Sequence, residues 1–67
     1  MTPDNDDLAA DMLRGADAIA RFLGFPRRSI YHMAARNSLP HFKLGDTICA
    51  RRSTLTRWIE QQESAAA

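Results

Sequence analysis

The first clear pattern in the chain is a run of apolar residues with helical spacing over residues 16–23. Its apolar positions, which fall on one helical face, are Ala16, Ile19, Phe22 and Leu23. Gly24 supplies a C-terminal stop, and Pro26 has the fixed φ that suits the first position of a new helix. A helix of two turns is too short to be stable alone, so we expect it to pack against the next helix along the chain.

A second apolar stripe follows over residues 27–36. Its members, at the i, i+3, i+4, i+7 spacing of a packed helix, are Ile30, Met33, Ala34 and Asn37. The opposite face collects Arg28, Tyr31, His32, Ala35 and Arg36, with Arg27 and Ser29 on its flanks. Asn37 tolerates the left-handed conformation of a C-terminal cap, and Leu39-Pro40 then directs the chain into extended structure. The tight connection between the two helices predicts a helix-turn-helix unit.

Residues 41–51 alternate as a β-hairpin does, with Gly45-Asp46 at the turn. A two-residue loop would place Phe42 and Leu44 opposite Cys49 and Thr47. A three-residue loop, Gly45-Asp46-Thr47, pairs Leu44 with Ile48 and Phe42 with Ala50, which makes one face wholly apolar. We prefer the second register, because a slip of one residue would expose Ile48. It predicts an outer face that holds Lys43, Arg51 and a partly exposed Cys49.

A final helix is predicted after Ser53, which is a good N-cap. Its apolar side comprises Leu55, Trp58, Ile59 and Gln62, and we expect Trp58 in the core. Before the first clear helix, residues 1–14 are predicted to be an acidic, largely disordered tail, in which residues 8–14 form a short helix capped by Asp7. Residues 15–63 then form one domain, and residues 64–67 are predicted to fray.

The predicted fold is therefore mainly α with a small β-hairpin, in the order α-α-β-β-α of a winged helix-turn-helix. At 67 residues the chain is near the size where a single core gives only marginal stability, so we expect any function to be built on the surface.

Charge is strongly segregated along the chain, although the formal net charge is only +1. Residues 1–20 carry a net −4, residues 21–57 a net +7 with Asp46 as the one acid, and the remainder a net −2. Such a basic segment indicates an anionic partner such as nucleic acid, while a solvated positive face remains the alternative.

The chain offers little for other chemistries. Cys49 is the only cysteine, and His32 has no second His, Cys or carboxylate at i+4 spacing, so we expect no disulfide, metal or cofactor. We also expect no enzyme, because nucleophile, base and paired acids do not assemble. No run of residues is long and apolar enough for a membrane span, and we expect a soluble protein in the cytoplasm, associated with the nucleoid.

Several short motifs occur in a fixed order over residues 15–59. They are a helix ending in Leu-Gly, the stretch Arg-Arg-Ser-Ile-Tyr, a Leu-Pro, a Gly-centred hairpin and a closing Arg-Arg-Ser-x-Leu-x-x-Trp. In this order, about two thirds of the chain resembles the excisionase and AlpA-type DNA-binding proteins, small relatives of the MerR N-terminal domain. Two positions depart from the family pattern: Pro26 stands where a serine N-cap is common, and Asn37 replaces a glycine.

The resemblance implies that residues 27–36 form a recognition helix and that residues 41–51 form a wing on the DNA backbone or in the minor groove. One of Arg27 and Arg28 is then expected to read guanine and the other to contact a phosphate, or both are simply solvated. The remaining candidate DNA-binding residues are Ser29, Tyr31, His32, Arg36, Lys43, Thr47 and Arg51. Tyr31 has an alternative to DNA contact, which is packing against the wing. Arg51 also has an alternative, which is a position beside the last helix.

The sequence thus predicts a sequence-specific double-stranded DNA-binding protein, either a transcriptional regulator or an excisionase-like architectural factor. About five phosphate contacts predict a salt slope near −4.5 on log-log axes. One small domain covers a short half-site, so we expect a homodimer or a cooperative multimer, with RNA polymerase or a recombinase as further partners. The alternatives are a protein-interaction module that docks an acidic partner and a DNA-recognition domain of the phage small-terminase type.

Overall fold

The computed structural model describes residues 4–66, which form four helices and a three-stranded antiparallel sheet. In chain order the elements are α1 (Asp4–Asp11), β1 (Met12–Arg14), α2 (Ala16–Leu23), α3 (Arg27–Ala35), β2 (Phe42–Leu44), β3 (Thr47–Arg51) and α4 (Arg52–Ala66). The sheet order is β1-β3-β2, so β3 is the central strand. The fold is mainly helical with a small sheet, as predicted, but its order is α-β-α-α-β-β-α.

One apolar core joins the helices to one face of the sheet. Ile19 of α2, Ile30 of α3 and Leu55 of α4 are fully buried at its centre. Its other buried members are Leu13, Ala16, Ala20, Leu39, Ile48 and Ala50. Trp58 is half-buried and packs against this core, which agrees with the prediction for α4.

The pair of helices α2 and α3 follows the predicted boundaries closely. Gly24 adopts the left-handed conformation, with φ 80°, and its N–H donates to the carbonyl of Ala20 at 2.7 Å. Phe22 was predicted to face the core but is 37% exposed, since the buried face of α2 is formed by Ala16, Ile19 and Ala20. Its ring lies under the guanidinium of Arg52, 5.5 Å from the ring centroid to Cζ.

The C-terminal end of α3 is closed by two hydrogen bonds. The N–H of Asn37 donates to Ala34 at 3.0 Å, and the N–H of Ser38 donates to Met33 at 2.9 Å. Asn37 has φ 57°, so the predicted left-handed cap is confirmed in the Schellman arrangement. Asn37 itself is exposed rather than part of the inner stripe, and α3 ends at Ala35, one residue before the predicted end.

The N-terminal region differs most from the prediction. Instead of a helix over 8–14 in a disordered tail, α1 ends at Asp11 and Met12–Arg14 pair with β3. Leu13, only 3% exposed, explains the strand, because pairing with Ala50 places it in the core. Residues 1–3 and 67, which the tail predictions also included, lie outside the described residues.

The preferred hairpin register was wrong. The structure has the two-residue loop, with Phe42 opposite Cys49, Lys43 opposite Ile48 and Leu44 opposite Thr47. Ile48 stays in the core and is 7% exposed, while Phe42 and Leu44 are 38% and 56% exposed on the other face. The apolar pairing that motivated the three-residue loop is replaced by pairing with β1, which brings Leu13 opposite Ala50.

Cys49 is also corrected, from partly exposed to fully buried. It lies in the central strand with Arg14 opposite on β1 and Phe42 opposite on β2, so neighbours flank it on both sides. A hairpin without a third strand would have left this side chain at an edge.

The last helix begins two residues earlier and ends later than predicted. α4 starts at Arg52, so Ser53 lies inside its first turn and is not the N-cap. The helix continues through Ala66, where we predicted fraying from residue 64.

Candidate nucleic-acid interface

The start of α3 displays two arginines on the surface. Pro26 is the N-cap, with φ −65° and ψ 150°, and it provides no side-chain hydrogen bond to the helix. The proline therefore lies one position before its predicted place, and the first helical residue is Arg27. Arg27 and Arg28 are both exposed in the first turn, where their backbone N–H groups have no acceptor one turn earlier in the helix. The positive end of the helix dipole and the two guanidinium charges together make the electrostatic potential positive at this end of α3.

The rest of the predicted outward face of α3 is where periodicity placed it. Tyr31 is 55% exposed, and His32 and Arg36 are exposed beside it. Ser29 is half-buried, and its N–H donates to the carbonyl of Pro26 at 3.0 Å. The face thus combines cations, a phenol and an imidazole over about two helical turns.

A groove runs between α3 and the β2–β3 hairpin. Its lining residues are Tyr31, Ala34, Ala35, His41, Lys43, Asp46, Thr47 and Ile48. The register explains why Lys43 reaches it: Lys43 pairs with Ile48, so it lies on the face of the hairpin that also carries the core. Three predicted residues from separate elements, Tyr31, Lys43 and Thr47, are thereby brought together.

The sequence pattern did not identify His41 as part of this groove. The Nδ1 of His41 lies 2.7 Å from the carbonyl oxygen of Leu39. A carbonyl only accepts, so Nδ1 carries the proton in this contact and the ring orientation is fixed. No signal in the sequence marks this residue, because the groove forms only when the hairpin meets α3.

A second groove borders the N-terminal half of α3. Its lining residues are Phe25, Arg28, Ser29, His32 and Met33. Phe25 is 41% exposed, and Met33 is half-buried with one side against the core. Phe25 and Met33 were absent from the predicted site. The sequence did hold a signal for Phe25, because it is an apolar residue between Gly24 and Pro26 that belongs to neither helical stripe.

Among the side chains that the structure describes, one acid approaches the arginines of α3. Nη1 of Arg27 lies 3.4 Å from the carboxylate of Asp17, which is in the first turn of α2. Both side chains are more than 60% exposed, so solvent weakens this pair.

Arg51 is not beside Lys43, as the preferred register had implied. It pairs across the sheet with Met12, on the face opposite Lys43, and its Nε donates to Asp11 at 2.9 Å. The wrong register is the cause, because a shift of one residue exchanges the two faces of a strand.

Asp11 binds the beginning of α4 from a distance of 42 residues along the chain. Its carboxylate accepts the N–H of Ser53 at 2.9 Å and the hydroxyl of Ser53 at 2.6 Å, as well as Nε of Arg51. The pKa of the Asp11 carboxyl lies below its ordinary value, chiefly because its carboxylate accepts the Ser53 hydroxyl. Partial desolvation raises this pKa, whereas the Ser53 N–H and Arg51 lower it further. Asp11 thus serves as the cap that Ser53 was predicted to be.

Residues 4–66 contain no helix with the length and apolar character needed to cross a membrane, and no group of three or more His, Cys, Asp or Glu side chains arranged to hold a metal ion. Comparison with known proteins gives no match to any family model, curated protein or solved structure.

Proposed function

We propose that the protein binds double-stranded DNA in a sequence-specific manner through a winged helix-turn-helix. In this proposal α2 and α3 are the helix-turn-helix, α3 is the recognition helix and β2–β3 is the wing. The resemblance to excisionase and AlpA-type proteins supports the proposal, and it suggests a transcriptional regulator or an excisionase-like architectural factor.

The observation that carries the proposal is the shared groove of α3 and the hairpin. Tyr31 on the helix and Lys43 and Thr47 on the hairpin line one channel. Two surfaces of this kind, side by side, suit a DNA strand, because the helix can enter the major groove while the hairpin follows the adjoining backbone.

Each side chain then has a role set by its position. Arg28, at the N-terminal end of α3, is the residue we assign to the O6 and N7 atoms of a guanine, since a guanidinium meets both with two hydrogen bonds. Arg27, Arg36 and Lys43 are assigned to phosphates. The hydroxyl groups of Ser29, Tyr31 and Thr47 are assigned hydrogen bonds to the sugar-phosphate backbone of the DNA. His32, one turn after Arg28, is assigned to a base edge.

Arg51 is left out of the proposed interface, because its Nε is engaged by Asp11 on the opposite face of the sheet from Lys43. Asp46 lies in the groove and would repel a phosphate, so we assign it to the hairpin turn.

We further propose that two or more copies act together, since one domain of this size covers only a short half-site. RNA polymerase or a recombinase remains a proposed protein partner, in the cytoplasm and on the nucleoid.

The proposal is tested by selecting duplexes from a random pool and measuring their affinity as salt increases. Three phosphate-neutralising cations predict a slope of about −2.7 on log-log axes, at about −0.9 per contact. Lys43→Gln should make the slope shallower by about 0.9, while the matched control Arg57→Gln, on α4, should leave it unchanged. An affinity that does not change with salt, or an equal effect of both variants, contradicts the proposal.

A further inference from the structure

The groove that Phe25 and Met33 line beside α3 has an apolar interior, and the protein surface around it is basic. Phe25 and Met33 supply carbon surface, while Arg28, Ser29 and His32 line the same groove with polar atoms. Phe25 lies outside the buried core, and 41% of it is exposed. Much of its aromatic surface is therefore open to a ligand.

The backbone holds Phe25 firmly at this place. Gly24 turns the chain in the left-handed conformation, the N–H of Phe25 donates to Ala20 at 3.0 Å, and Pro26 restricts the residue that precedes it. The ring therefore begins from a fixed backbone position at the entrance to α3, so a ligand that contacts it does not have to order the backbone there.

We infer that this groove receives the C5-methyl group of a thymine next to the base pair that Arg28 reads. The inference rests on the proposed function. Among the four bases, thymine alone presents an apolar group in the major groove, and apolar side chains recognise it by contact. The N-terminal end of a recognition helix reaches furthest into that groove, and Phe25, which directly precedes the N-cap Pro26, lies at this end of α3.

The charge of the surroundings favours DNA over an apolar peptide as the occupant. Arg28 forms part of the groove, and Arg27 is exposed beside it. A cationic rim complements a phosphate-flanked base, whereas a peptide side chain would leave those guanidinium groups unpaired or partly desolvated. A peptide occupant is the competing outcome of the test below.

The experiment uses the full chain and its selected duplex, with each thymine in turn replaced by uracil, which lacks only the methyl group. We expect one thymine position at which uracil weakens binding by about fourfold, the loss expected when one buried methyl group is removed. The other positions should change by less than about twofold.

Repeating the uracil substitutions with the Phe25→Ala variant tests whether this groove causes the loss of affinity. The uracil effect at the sensitive position should disappear in Phe25→Ala and persist in Leu44→Ala, which removes a comparable exposed apolar side chain from the other face of the hairpin. Circular dichroism and melting verify that both variants are folded, and the scan on the unmodified chain stands whether or not Phe25→Ala folds.

The outcomes separate this inference from the proposed function. If the chain selects a duplex but no uracil weakens binding, or if the effect is the same in Phe25→Ala, the thymine site is wrong while DNA binding stands. That result would also favour a peptide as the occupant of the groove. If no duplex is selected at any salt concentration, both proposals are overturned.

Discussion

The tripeptide Arg-Arg-Ser occurs twice in this chain, at residues 27–29 and 51–53, and each copy lies at the start of a helix. In the first copy both arginines are exposed at the beginning of α3, and only Arg27 meets an acid, at 3.4 Å in solvent. In the second copy Arg51 donates to Asp11, and Nε of Arg52 donates to the carbonyl of Ala10 at 3.0 Å.

The difference shows that the same three residues take opposite roles according to what the rest of the chain places beside them. Asp11 and Ala10 precede β1, and the pairing of β1 with β3 carries them to the start of α4. In the part of the chain that the structure describes, the acid that contacts the first copy is Asp17, which is exposed and lies 3.4 Å from Arg27. The second copy thus helps to hold the fold together, whereas the first is the one that the proposed function assigns to DNA.

The largest expected effect comes from removing each arginine pair in turn. Arg27→Ala with Arg28→Ala should weaken binding to the selected duplex by roughly 30-fold or more, since a bidentate base contact and a phosphate contact are both lost. Arg51→Ala with Arg52→Ala should change affinity by less than about threefold but lower the melting temperature by several degrees, because internal hydrogen bonds are lost.

Fluorescence anisotropy at one fixed salt concentration, together with thermal melting, measures both quantities. Equal loss of affinity in the two double variants would mean that the second pair also contacts DNA, and the contrast between the copies would fail.

The next effect concerns the acid that engages the second copy. Asp11→Asn should lower the melting temperature by about 4–8 °C near neutral pH, because the charged acceptor at the start of α4 is lost. The folded-state pKa of Asp11 lies below the ordinary pKa of an aspartate, so its contribution to stability is fully present above that ordinary value and disappears as the pH falls through the lower, folded pKa. The difference between the two proteins should therefore shrink only below about pH 4.

Melting curves followed from neutral pH into the acid range test this expectation. Glu60→Gln, which alters an exposed carboxylate on α4, is the matched control and should show a small difference at every pH. A gap between Asp11→Asn and the original chain that stays constant down to the lowest pH would contradict the assignment of the cap to the carboxylate.

The smallest effect concerns the acid near the first copy. Asp17→Asn should change the melting temperature by no more than about 2 °C, because an exposed ion pair contributes little. Affinity for DNA should rise by about two- to threefold, since one negative charge near the proposed interface is removed. Glu63→Gln makes the same change of charge on α4 and should have less effect; weaker DNA binding by Asp17→Asn would show instead that Asp17 positions Arg27.

The parts of the fold that follow from local signals were predictable from the sequence. α2 and α3 were placed within one residue, because amphipathic spacing and the residues Gly24 and Asn37 specify where such helices lie and end. The outward residues of α3 followed from the same periodicity.

What escaped prediction depends on contacts between distant segments. A strand of three residues is too short to show alternation, so β1 was missed, and without β1 the hairpin register was chosen as if β3 had one neighbour. Arg51 was misplaced for that reason. His41 belongs to a groove that arises only when the hairpin packs beside α3, whereas the groove of Phe25 and Met33 is formed by residues 25–33 alone and Phe25 left a trace in the sequence as an aromatic residue in a turn.

The hydrogen bonds between Asp11 and Ser53 also bear on the order in which the chain folds. They close a loop of 42 residues that contains the helical pair and the hairpin, and closing such a loop is entropically unfavourable until the intervening segments are compact. The contacts between α2 and α3 and across the hairpin are local, so we expect them to form first. We then expect the beginning of α4 to be fixed late, after the two helices and the hairpin are in place.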